Sequence, residues 1–158
     1  MIKSYGLHWN VQKVFWGRPN VSGTLLGAAS RTKKAKPVDF RMQRGVYALY
    51  ADYELVYVGQ TGSGTDRLFS RLKMHRNDHL SERWNRFSWF GTQWVTRSHQ
   101  LSTDTAQVHT AVDAALNTLE AISIAISEPR LNLQRGRWSE ATQYYQFADE
   151  GEEEEESD

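Results

Sequence analysis

The sequence predicts an α/β (α+β) fold: a small, mostly antiparallel three-stranded sheet flanked by helices, with a β extension at the N-terminus. Three observations predict it. Residues 45–50 and 55–58 are two runs rich in β-branched and aromatic side chains, joined by the short polar stretch Ala51-Asp52-Tyr53-Glu54, which is a hairpin signal. Residues 87–95 carry four aromatics and read as a third strand. Two segments of helical spacing, one after the hairpin and one over residues 105–127, supply the flanking helices.

Taken in order, residues 5–27 look like extended chain with turns. Apolar and polar residues alternate through Leu7-His8-Trp9-Asn10-Val11, the period of a half-buried strand. Val14-Phe15-Trp16 is a second short apolar run, and Gly17-Arg18-Pro19-Asn20 is turn chemistry. Arg31-Thr32-Lys33-Lys34-Ala35-Lys36-Pro37 is a basic linker, either a solvated loop or a loop that touches phosphate. After the hairpin, Thr65 or Asp66 can cap a helix whose apolar positions include Leu68, Phe69 and Leu72. Arg67, Arg71 and His75 fall at i, i+4 and i+8 on that helix and form one polar stripe. In the second helix Val108, Val112, Leu116, Leu119 and Ile122 keep helical spacing, and Pro129 stops it. The chain therefore divides into residues 1–43 (β extension and basic linker), 44–148 (the main domain) and 149–158 (an acidic tail expected to be disordered).

The 158 residues carry 19 Lys plus Arg against 19 Asp plus Glu, a formal charge of zero. Eight of the acids lie in the last ten positions, so residues 1–148 hold 19 basic and 11 acidic side chains, a body of +8. Such a body suits an anionic partner such as nucleic acid. The absence of cysteine excludes a disulfide framework, a thiolate nucleophile and a cysteine zinc site. No apolar run approaches the roughly 20 residues of a membrane span, and no signal-peptide core follows Met1, so a cytoplasmic protein with no membrane partner is expected.

One carboxylate stands out. In Leu119-Glu120-Ala121-Ile122-Ser123-Ile124-Ala125-Ile126 the only charge is Glu120. A carboxylate in apolar surroundings is costly unless it is paired, hydrogen-bonded or bound to metal.

With these residues in hand the chain resembles a known family. Gly45-Val46-Tyr47, nine intervening residues, then Tyr57-Val58-Gly59 is similar to the paired signature of the GIY-YIG nuclease superfamily. In that family a helix after the second tripeptide carries an Arg with a His four positions on, matched by Arg71 and His75. A later helix carries a metal-binding Glu, matched by Glu120, and an Asn follows it, matched by Asn132. The resemblance covers roughly residues 44–138. It implies a metal-dependent endonuclease that hydrolyses phosphodiester bonds in DNA, with RNA equally compatible with the sequence, and a GIY-YIG-like fold. The alternative is a nucleic-acid-binding module that keeps the fold without significant catalysis.

The chemistry agrees with that resemblance. Phosphodiester hydrolysis needs an activated water, charge neutralisation at phosphorus and help for the leaving oxygen. Glu120 offers a hard oxygen ligand for Mg²⁺ or Mn²⁺, a metal that keeps much of its hydration. Arg71 presents a permanently charged fork to a phosphate oxygen. Tyr47 and Tyr57 lie on paired strands and converge if the register places them on one face. The family assigns a tyrosine as general base; Tyr47 with His75 as its partner is the preferred assignment, with Arg71 and the metal expected to lower the phenol. Arg67, Arg130 and Arg135 are candidate substrate-backbone contacts, with Asn132 orienting substrate or bracing a loop. A lone catalytic domain has little surface for reading a long site, which makes a homodimer or a delivering protein partner an expectation to test.

Overall fold

The computed structural model describes residues 2–61, 65–103, 121–122, 125–126 and 141–147. Among these residues nine strands form two sheets. Strands β1 (Ser4–Asn10), β4 (Leu26–Ala28), β5 (Val38–Asp39), β6 (Gly45–Ala51), β7 (Glu54–Gln60), β8 (Arg86–Gly91) and β9 (Thr142–Gln146) make one seven-stranded sheet in the order β5-β4-β9-β1-β8-β6-β7. Strands β2 (Phe15–Arg18) and β3 (Val21–Thr24) pair as a separate ribbon across a turn at Pro19-Asn20, where Asn20 takes φ 66°. Helix α1 (Leu68–His75) follows β7.

The expected three-stranded antiparallel sheet flanked by helices is therefore incorrect. The sheet has seven strands and is mixed, because β1 runs parallel to β9 while its other neighbour, β8, is antiparallel. The N-terminal β segment is not an added extension either: β1 is the sheet's fourth strand, paired on both edges. The physical reason for the error is strand length. β4, β5 and β9 have three, two and five residues, too few to display a period, and they are held by partners far away in sequence, such as Gly27 opposite Gln146.

The hairpin forms as its residues dictate. β6 and β7 pair antiparallel around a two-residue turn with Asp52 at φ 55°, and Asn85 clasps Asp52 through its side chain. The third expected strand is shorter than residues 87–95 suggested. It ends at Gly91, after which Thr92 N–H donates to Arg44 O and Gln93 N–H to the Gln43 side chain.

α1 begins at Leu68, with Arg67 rather than Thr65 or Asp66 at its N-cap. The first-turn N–H groups of Leu68 and Phe69 donate to the carbonyls of Gln43 and Arg41, so a capping carboxylate or hydroxyl is unnecessary. Leu68, Leu72 and His75, at i, i+4 and i+7, are its buried positions. Of the second expected helix, residues 121–122 and 125–126 are helical and Ala121 is buried, while the rest of 105–127 lies outside the described residues.

The core sits on the face of the sheet that α1 covers. Trp9, Phe40, Trp89 and Tyr144 pack ring to ring at centroid distances of 4.6 to 6.2 Å. Trp84, Phe87, Trp89 and Phe90 are all buried; Trp94 is 37% exposed. One row across the sheet, Tyr144–Gly6–Trp89–Tyr47–Gly59, consists only of aromatic residues and glycine. This row leads directly to the candidate site.

Candidate active site

The register resolves whether the two tyrosines meet. Tyr47 lies opposite Gly59 and Leu49 opposite Tyr57, so Tyr47 and Tyr57 are diagonal neighbours on one face of the hairpin. Their ring centroids are 6.2 Å apart. The glycines of both tripeptides are required by close approach. A Cβ at Gly59 would lie 2.5 Å from the Tyr47 Oη, and one at Gly45, where φ is 154°, would collide with the Phe90 carbonyl. Gly59 thus leaves the space through which the Tyr47 ring crosses β7.

α1 carries the rest. His75, 2% exposed, places Nε2 2.7 Å from the Tyr47 Oη, and its ring lies 4.8 Å from that of Tyr57. Arg71, one turn earlier and half-buried, donates from Nε to the same Oη at 3.4 Å. On its far side the His75 ring meets Asp78: Nδ1 is 2.8 Å from Oδ2. Leu80 N–H holds the other oxygen of Asp78, Oδ1, at 2.8 Å, and Trp84 Nε1 donates to the His75 carbonyl at 3.0 Å. Hairpin, helix and the loop after the helix therefore converge on one hydrogen-bonded line, Arg71–Tyr47–His75–Asp78.

Burial dominates the electrostatics of the Tyr47 hydroxyl. Burial pushes the Tyr47 phenol above its ordinary value, and neighbouring Tyr57 adds to the rise; Arg71 opposes both through its hydrogen bond and charge without reversing them. The Tyr47 contact in turn raises the Arg71 guanidinium further. For Asp78 the largest influence is desolvation, which raises it, but Leu80 N–H, His75 and the nearby His79 together bring the carboxyl below the usual range.

No family model, curated protein or solved structure matches the chain.

The structure brings Tyr47, Tyr57, Arg71 and His75 together. It leaves Arg67 at the N-cap of α1, where Nη1 donates to the Asp66 carbonyl at 2.9 Å. Glu120, Arg130, Asn132 and Arg135 lie outside the described residues. Among the described residues no group of three His, Asp or Glu side chains could hold a metal ion. Asp78, the carboxylate at the site among the described residues, has one oxygen engaged by Leu80 N–H and the other by His75. Asp78 escaped the sequence reading. Its one signal is the spacing His75-x-x-Asp78, which places a carboxylate just beyond a helix whose last residue is a histidine.

Proposed function

We propose that the chain is a metal-dependent endonuclease that hydrolyses phosphodiester bonds in DNA. The observation that carries the proposal is the Tyr47 hydroxyl held between His75 Nε2 at 2.7 Å and Arg71 Nε at 3.4 Å, beside the ring of Tyr57. A phenol fixed between a proton acceptor and a cation, on a line that ends in a carboxylate, is arranged for proton transfer. The likeness of Gly45-Val46-Tyr47 and Tyr57-Val58-Gly59 to the GIY-YIG signature, which includes these two tyrosines, points to the same reading.

Tyr47 has no exposed surface, whereas Tyr57 and Arg71 are half-buried and border solvent. Tyr57 is therefore the hydroxyl that meets water, and Tyr47 passes the proton on. As water attacks phosphorus, its proton moves to Tyr57 Oη, the Tyr57 proton to Tyr47 Oη, and the Tyr47 proton to His75 Nε2. The phosphorus–oxygen bond to the leaving sugar breaks in the same displacement, the departing oxygen takes a proton from solvent water, and His75 then returns its proton to solvent. Arg71 stabilises negative charge on the phenol oxygen and on a phosphate oxygen. Mg²⁺ or Mn²⁺ at Glu120 supplies charge neutralisation when bound.

A basic cavity at the opposite end of the sheet from the tyrosines is a candidate second contact for a long nucleic acid. At the β4–β5–β9 end of the sheet a cavity of about 340 Å³, walled by Val38, Val95 and Tyr144, is bordered by Lys36, Arg97 and His99. No helix among the described residues is long and apolar enough to cross a membrane.

The test is plasmid and RNA cleavage with Mg²⁺ or Mn²⁺, for the natural chain beside Arg71→Ala and Glu120→Ala. Nicking that needs metal and disappears in both variants is expected. Binding without cleavage under either metal refutes the enzyme and leaves the catalytically silent binding module. Cleavage of RNA alone would correct the substrate.

A further inference from the structure

We propose that Asp78 is a positioning residue that fixes the tautomer of His75, and so sets the direction in which a proton leaves Tyr47. Four hydrogen bonds determine the assignment. Leu80 N–H occupies Asp78 Oδ1, which turns Oδ2 toward His75 Nδ1 at 2.8 Å. An ionised carboxylate only accepts, so Nδ1 carries a proton, and in the neutral imidazole Nε2 is then bare. Arg71 Nε–H already donates to the Tyr47 Oη, so the single phenolic O–H points at Nε2, 2.7 Å away. Donors and acceptors match along the whole line in this tautomer. In the other tautomer Nδ1 faces Asp78 Oδ2 with no proton between two acceptors, and Nε2–H displaces the Tyr47 proton.

Among the described residues the groups facing the imidazole are few: Tyr47 from β6, Tyr57 from β7, Arg71 from α1 and Asp78 from the following loop, with His79 beside Asp78. Among these, Asp78 alone contacts Nδ1. The backbone bond from Leu80 makes its effect specific. In Asp78→Asn, Leu80 N–H keeps the amide oxygen, the NH₂ replaces Oδ2, and two donors would confront each other unless the imidazole proton moves to Nε2. An isosteric change thus inverts the tautomer without altering the shape of the site. In a hydroxyl–imidazole–carboxylate relay, the wrong tautomer lowers turnover by as much as about 10⁴-fold.

The assignment of the tautomer is independent of the nuclease reading; its effect on turnover rests on that reading. The experiment is long-range ¹H–¹⁵N NMR of histidine-labelled protein, which distinguishes a protonated ring nitrogen from a bare one, alongside plasmid cleavage. Protonated Nδ1 and bare Nε2 at His75 in the natural chain are expected, with the pattern inverted in Asp78→Asn and cleavage reduced roughly 10²- to 10⁴-fold. His75→Gln, measured by the same cleavage assay, identifies how much of that loss passes through the imidazole. Bare Nδ1 in the natural chain overturns the proposal, and this result does not depend on any variant folding. An unchanged pattern in folded Asp78→Asn also overturns it. The stated tautomer in a chain that cleaves nothing sustains the positioning role and refutes the nuclease; normal cleavage by Asp78→Asn does the reverse.

Discussion

Gly59→Ala is the most incisive probe of the hairpin face, because one methyl group would strike both tyrosines. The added Cβ would lie 2.5 Å from Tyr47 Oη, 2.6 Å from Tyr47 Cζ and 2.8 Å from Tyr57 Cε1. Carbon atoms in ordinary contact sit at about 3.5–4.0 Å, so each ring must retreat by about 1 Å. Tyr47 has nowhere to go. It is completely buried, and its hydroxyl is tied to His75 at 2.7 Å. Overpacking of this kind costs about 1–3 kcal/mol, and loss of the buried hydrogen bond adds about 1 kcal/mol, for a total of roughly 2–4 kcal/mol. For a domain of this size that corresponds to a fall in Tm of roughly 5–15 °C. Thermal unfolding followed by circular dichroism measures it, with Val58→Ala as the control. Val58 is 49% exposed and points to the opposite face, so its truncation should change stability by about 0.5 kcal/mol or less. Repeating Gly59→Ala in a Tyr47→Phe background removes the hydroxyl contact and the hydrogen bond from the comparison. The two changes should then couple by about 1 kcal/mol or more. Gly59→Ala with a cost below about 0.5 kcal/mol, or strict additivity with Tyr47→Phe, would refute the close crossing of Tyr47 over β7.

Five further outcomes are expected. Tyr47→Phe alone leaves His75 Nε2 buried without its partner and should destabilise the fold by about 1–2 kcal/mol in urea titration; no measurable change would show that the bond does not matter. The raised phenol of Tyr47 contributes stability that is complete below pH of about 10 and lost as pH rises through its folded value, so Tyr47→Phe should blunt alkaline unfolding, followed by near-ultraviolet phenolate absorbance. Asp78 has the opposite sign. Its depressed carboxyl stabilises the fold above the ordinary aspartate value of about 3.9 and loses that contribution as pH falls below it, so Asp78→Asn should flatten the acid limb of a stability–pH curve. Replacing both Lys36 and Arg97 with alanine should weaken DNA binding by the metal-free protein and lower the salt slope by about two, whereas an unchanged slope would place the contact elsewhere. Deleting residues 149–158, which carry eight acidic side chains, should tighten binding at low salt and steepen its salt dependence; equal affinity would reduce the tail to an aid to solubility.

The parts of this molecule written in local pattern were legible. The hairpin announces itself through two β-rich runs around a polar turn, and its register alone puts Tyr47 and Tyr57 on one face. Arg71 and His75 follow from helical spacing, and both reach the same hydroxyl. The parts written in distant partnerships were not. β4 and β5 together comprise five residues and exist because β9, from the far end of the described chain, lies beside β4. The start of α1 is set by carbonyls of Arg41 and Gln43, which no cap motif at 65–66 could disclose. Asp78 belongs to a loop without periodicity, so only its distance from His75 gives it away.

The parallel pairing of β9 with β1 has a consequence for how the chain acquires its shape. β9 is an interior strand: it separates β1 from the β4–β5 pair, with Ser4 opposite Thr142 on one side and Ala28 opposite Tyr145 on the other. A nascent chain emerging from the ribosome can assemble the β1–β8–β6–β7 half, hairpin tyrosines and all, as soon as residue 91 is free. Residues 26–39 must nevertheless wait, with β4 and β5 unpaired to the rest of the sheet, until residues 142–146 arrive to bridge the gap. The proposed proton relay is thus built early, while the end of the sheet that bears the basic cavity is completed by β9, the last strand among the described residues.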